Sequence, residues 1–147
     1  MRNGNEIRMA GGAVLALAAQ LYAGGFYLQT SKPDDAEARK AGAVLTVKVV
    51  GCHDPASAAV TATAIGYVSG QRRSIPLKIN ALSEAGTFAI AQQWPEEGRW
   101  VIRLDGRMKE GGVTTTLVKA GPAGVDFGEG KAEMRAFTAD EVDAMLR

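Results

Sequence analysis

Cys52, His53 and Asp54 stand side by side, and they are the one place in this chain where soft or borderline metal ligands occur together. A thiolate beside an imidazole suits copper(I) or zinc, and an adjacent carboxylate can complete or orient the set. Spacing limits what three consecutive residues can do. On a strand, Cys52 and His53 point to opposite faces and cannot share an ion. Only a turn of the kind that Gly51 and Asp54-Pro55 supply would converge them. A closed site also needs further ligands, from Met108 or Met134 or from a second copy across a two-fold axis. The same residues have plain structural uses. Cysteine packs as a small buried hydrophobe, Asp before Pro opens a turn by bonding its own backbone, and His53 would cap that turn. A free thiol in an oxidising compartment would alternatively join two chains covalently.

The rest of the inventory excludes more than it offers. The chain has one Cys and one His, so it holds no intramolecular disulfide, no CxxC motif and no multi-histidine metal centre. A Cys-His dyad needs a third orienting group in a pocket, which adjacent residues rarely achieve. Carboxylates occur singly or in turns such as Glu96-Glu97, and no glycine-rich loop follows a strand and opens a helix. These features point away from an enzyme. Net charge is +1, and beyond residue 31 the chain carries 15 basic and 15 acidic residues. That balance argues against the electrostatic footprint of a nucleic-acid binder, which needs clustered Lys and Arg. The basic pair Arg72-Arg73 reads as the solvated flank of a turn.

The elements that must position these residues are strands. Apolar residues alternate with period two from Gly86 to Leu104 around a Pro95-Glu96-Glu97-Gly98 turn. Phe88 and Ile90 share a face, as do Trp100, Ile102 and Leu104, while Arg99, Val101 and Arg103 take the other. The pattern predicts two strands of one antiparallel sheet, Gly86–Trp94 and Arg99–Asp105. Further strands are expected over Val44–Val50, Ala58–Val68, Gln71–Ile79 and Val113–Lys119, with a short seventh over Ala123–Phe127. Pro76 lacks a donor, so its strand should be an edge or bulged. Trp94 and Trp100 read as core, although with Tyr67 they would stack on a sugar if exposed. Six to seven strands without intervening helices predict an all-β fold, an antiparallel β-sandwich of Ig-like type spanning residues 43–128. The tail, 129–147, changes period. Thr138 with Glu141 makes a capping box, and Phe137 with Val142 a hydrophobic staple, so a short helix over Ala139–Leu146 is expected. Eight residues cannot hold a helix alone, so it must dock on its own sandwich or on a partner.

Residues 1–31 have a different character. A charged start (Arg2, Glu6, Arg8) precedes an uncharged, largely apolar run from Met9 to Ser31. It reads as a signal peptide, with Leu21-Tyr22-Ala23 as a cleavage end, or as an uncleaved membrane anchor. Both readings place the body outside the cytoplasm, periplasmic or extracellular, touching the membrane only through this segment. Residues 32–42 read as a linker or short helix.

The run ending Pro95-Glu96-Glu97-Gly98-Arg99-Trp100 resembles the turn-then-strand of small exported Ig-like sandwich domains of the YtkA and FixH type, and CopC-like sandwiches share the general architecture. The similarity covers about residues 43–119. It implies a periplasmic or cell-surface location and non-enzymatic roles, in some cases linked to copper or respiratory assembly. CopC-like copper sites use several histidines with a carboxylate; with one His and no matching N-terminal ligand, this chain does not inherit that site. The sequence thus leads to a non-enzymatic exported module acting through an envelope protein or its own copies. Metal binding or delivery through Cys52, His53 and Asp54 is the alternative. Expected edges for pairing with another chain lie at Pro76 and at the Thr114–Thr116 strand.

Overall fold

The computed structural model describes residues 25–147; the expected N-terminal apolar helix or signal lies outside the described residues. Nine strands and two short helices follow: β1 (Tyr27–Ser31), α1 (Ala36–Lys40), β2 (Ala43–Val50), β3 (Ala59–Val68), β4 (Gln71–Leu77), β5 (Asn80–Ala81), β6 (Thr87–Ala91), β7 (Trp100–Arg107), β8 (Val113–Gly121), β9 (Gly124–Glu133) and α2 (Ala139–Ala144). They form a four-stranded sheet, β1-β2-β6-β5, and a five-stranded sheet, β4-β3-β7-β8-β9, with every pair antiparallel. This is the expected all-β sandwich.

Alternation builds the core. Leu45 and Val47 of β2 lie opposite Ile90 and Phe88 of β6. They meet Ala62, Ala64, Trp100, Ile102 and Leu104 from the other sheet in one apolar cluster. Each fully buried large side chain there contributes about 1.5–3 kcal/mol. Trp100 is the largest of them, and its register partner is Gly66 of β3. A Cβ on Gly66 would stand 2.6 Å from the indole, so the ring lies where only glycine leaves room.

Several expectations are corrected by this topology. The runs around Pro95–Gly98 are not one hairpin: β6 and β7 belong to different sheets. The eight residues between them carry the chain across the sandwich, with Trp94 buried on the way. The strand with Thr114–Thr116 is interior, flanked by β7 and β9, and offers no edge. The last strand extends to Glu133, so the sandwich runs past residue 128. Most consequentially, residues 27–31, grouped by the sequence with the apolar N-terminal segment, form β1, paired along its whole length with β2. Phe26 and Leu28 are 5% and 1% exposed within the core. Their alternation was hidden because they continue an uncharged run.

The outer faces are roofed by the chain itself. α2 brings Val142, with Phe137 and Met145, onto Ile65, Val101 and Leu117 of the five-stranded sheet. Its capping box forms as the sequence predicts, Thr138 accepting from the Glu141 backbone and Glu141 from the Thr138 backbone. α1, capped by Asp35, contacts β2, and its Ala38 is fully buried. Thr46, Thr87 and Ala89 face outward from the four-stranded sheet yet are also buried.

The free edges are equally occupied. β4 carries Pro76 and β5 has two residues. β9 bulges at the register shift between Leu117 and Lys119. The Leu28 carbonyl of β1 accepts a 3.0 Å hydrogen bond from Thr116 Oγ1 of the opposite sheet. Such devices suppress strand addition.

Because β1 supplies core residues, chains starting at Gly24 and at Lys32 should differ sharply. The longer should unfold cooperatively on heating, and the shorter should melt about 10 °C or more lower or fail to fold. Thermal unfolding followed by far-UV circular dichroism checks this; equal midpoints would show that β1 contributes nothing.

Candidate functional site

The Cys52-His53-Asp54 turn lies at the end of the sandwich where β2 must cross to β3. Gly51 starts it with φ +83°, and a Cβ there would stand 2.7 Å from the Gly25 carbonyl oxygen. The turn is therefore pressed backbone to backbone against the residues that lead into β1. Asp54 then caps a single 3-10 turn, Pro55–Ser57. It does so with its main-chain carbonyl, which accepts from Ser57 N (3.1 Å) and Ser57 Oγ (2.8 Å). Its carboxylate makes no capping bond. Pro55 closes against Gly86, whose φ is +75°.

Within this turn the three side chains part. Cys52 is a half-buried free thiol packed against the apolar core, whereas His53 and Asp54 are exposed. Among the described residues, no group of three or more His, Cys, Asp or Glu side chains is placed to hold a metal ion. The topology does bring the two candidate methionines to the same end. Met108 follows β7 and packs on the same core cluster as Cys52. Met134 follows β9, is 48% exposed, and covers Gly25 so closely that a side chain at Gly25 would overlap it. The turn thus joins a partly buried sulfur, an exposed imidazole and an exposed carboxylate that point to different surroundings.

The aromatic residues divide in a similar way. Trp94 and Trp100 are buried, and Trp100 Nε1 donates to the Glu97 carbonyl at 2.9 Å. That bond, with Gly98 at φ +87°, makes the Pro-x-x-Gly-x-Trp run a structural clamp rather than a sugar platform. Tyr67 is 42% exposed. It lies at the other end of the sandwich, beside the two-residue turn Ser69-Gly70, where both residues have positive φ. Its register partner is Arg72. Arg72 Nε reaches Asp143 of α2 at 3.0 Å, so this arginine ties the terminal helix to the hairpin, while Arg73 beside it is exposed.

Two polar groupings escaped the sequence reading. On the outer face of the five-stranded sheet, Arg103 Nε donates to both oxygens of Asp105 (3.1 and 2.9 Å), and Thr115 Oγ1 donates to Asp105 at 2.9 Å. Arg103 and Asp105 are two apart on one strand, the only signal available; Thr115 arrives by cross-strand register. At the base of α2, Arg135 bonds Glu133 and Glu141 and lies over the Phe137 ring. Its guanidinium, and then the Thr138 backbone N–H, hold the Glu141 carboxyl down at about 2. Both groupings join one element to the next.

Comparison with known families, curated proteins and solved structures finds no match to this chain.

With Cys52 turned toward the core and His53 toward solvent, the geometry predicts only weak metal binding. Titration of the reduced chain with copper(I), copper(II) and zinc should give no tight one-to-one complex. A Cys52→Ala/His53→Ala variant should behave alike. A tight complex abolished in that variant would contradict this.

Proposed function

We propose that this protein is an exported, Ig-like β-sandwich module that acts in the cell envelope by contact with another protein or with its own copies, without catalysis. The observation carrying the reading is how its own segments cover it. α2 lies on one sheet, α1 contacts the other, and the edges are blunted by Pro76, the β9 bulge and the Thr116 bond to β1. Contact with a partner then falls to the ends of the sandwich rather than to strand addition. The hairpin end offers Tyr67 on one face of the β3–β4 ribbon and Arg73, the register partner of Gly66, on the other, both exposed side chains of kinds enriched at protein interfaces. The charged start and apolar run of residues 2–25 support export, as does the resemblance to YtkA- and FixH-type domains.

Metal delivery through Cys52 and His53 is the second reading, favoured by Met108 and Met134 standing at the same end of the sandwich. The titration above separates it from the first.

Affinity purification of the tagged, exported chain from envelope fractions should recover a discrete partner or a second copy. Tyr67→Ser/Arg73→Glu should reduce recovery at least about tenfold, equivalent to about 1.4 kcal/mol, with an unchanged melting temperature. A protein that is uniformly monomeric and partnerless in its envelope would overturn the reading. Recovery unaffected by the double variant would exclude the hairpin end as the contact.

A further inference from the structure

We infer that the chain is cut between Ala23 and Phe26 after export, so that β1 becomes the N-terminal strand of the mature protein. This rests on the export reading above. The uncharged run from Met9 to Ser31 is 23 residues long, enough to cross a bilayer. The fold, however, claims its last six. Phe26 and Leu28 are buried in the core, and every residue from Tyr27 to Ser31 has a register partner on β2. What remains, Met9–Gly25, is 17 residues, about 25 Å as a helix at about 1.5 Å per residue. The hydrocarbon core is about 30 Å thick. Gln20 and the glycines at 11, 12, 24 and 25 further weaken it as an anchor. Its unbroken apolar part, Ala13–Ala19, is seven residues, within the roughly 7–15 of a signal-peptide core.

The junction itself argues for release. Gly25 lies close against Met134 on one side and Gly51 on the other, at the place where a retained anchor would have to depart. No linker would separate the sandwich from the lipid. The loops at that end, with His53, Asp54, Lys109 and Glu110, would be driven against the headgroups. A cut upstream of Phe26 keeps Phe26 and Leu28 in the core; a cut inside β1 would remove core residues.

Small residues precede Phe26 at positions 23, 24 and 25. Cleavage after Gly25 sets Ala23 and Gly25 at the two positions where a signal peptidase requires small side chains. Cleavage after Ala23 leaves Gly24 and Gly25 as a short lead into β1. In either case a membrane signal peptidase hydrolyses one peptide bond. Water gives its hydroxyl to the carbonyl carbon and its proton to the released amine, which becomes the new N-terminus.

The test is to express the full chain with a C-terminal tag in a bacterium with a periplasm, separate the fractions, and determine intact mass and N-terminal sequence. The expected product is soluble periplasmic protein beginning at Gly24, Gly25 or Phe26. Full-length protein in the membrane fraction overturns the cut while leaving export intact. So does a mature start at Tyr27 or later. Full-length protein confined to the cytoplasm overturns export and the cut together. Ala23→Glu alters a residue upstream of β1 and should block processing, giving accumulation of the uncut chain; unchanged processing in that variant would also overturn the inference.

Discussion

The sandwich depends on one contact, the indole of Trp100 laid across Gly66. β7 is the middle strand of the five-stranded sheet, and Trp100 is its first residue. The ring fills the space between the sheets where only a residue without a side chain can stand opposite it. Its nitrogen holds the Glu97 carbonyl, which fixes the connection that brings the chain over from β6. A one-residue slip of β7 would turn Trp100, Ile102 and Leu104 outward and Arg103 inward. The register of the central strand, the crossing between sheets and the closure of that end of the core therefore stand on one aromatic side chain.

Much of this was legible from residue pattern. Leu45, Val47 and Val49 announce β2 by alternation, and Thr138 with Glu141 announces α2 by a capping box that the structure forms. Pro76 correctly marks an edge. What stayed hidden has physical causes. Alternation says which residues share a face but not which strands share a sheet, so β6 and β7 looked like one hairpin. Phe26 and Leu28 follow a long uncharged segment, so their strand pattern merged with it. The Arg103–Asp105–Thr115 grouping depends on cross-strand register, which no linear spacing reports. At the Cys52-His53-Asp54 turn, the sequence located the bend but not the direction of each side chain: Cys52 toward the core, His53 and Asp54 toward solvent.

The covers decide which surfaces of the sandwich stay open. A two-sheet sandwich has two outer faces and four edge strands, each a place for another chain to bind. Here α2 buries Val142 against Val101 and Leu117, and the four strand edges are shortened, bulged, prolyl or bonded to the opposite sheet. Such edges disfavour pairing through the strands. The arginine that ties α2 down, Arg72, is the register partner of the exposed Tyr67. The docking of the tail and the shape of the hairpin end are thus one arrangement.

The most direct test of that account is photo-cross-linking in the intact envelope, with a light-activated residue in place of Tyr67 and, as control, in place of Ala85 in the loop before β6 at the far end. A discrete cross-linked species is expected from position 67 and none from position 85. No adduct from position 67, or the same adducts from both positions, would contradict the claim that the protein works through its hairpin end.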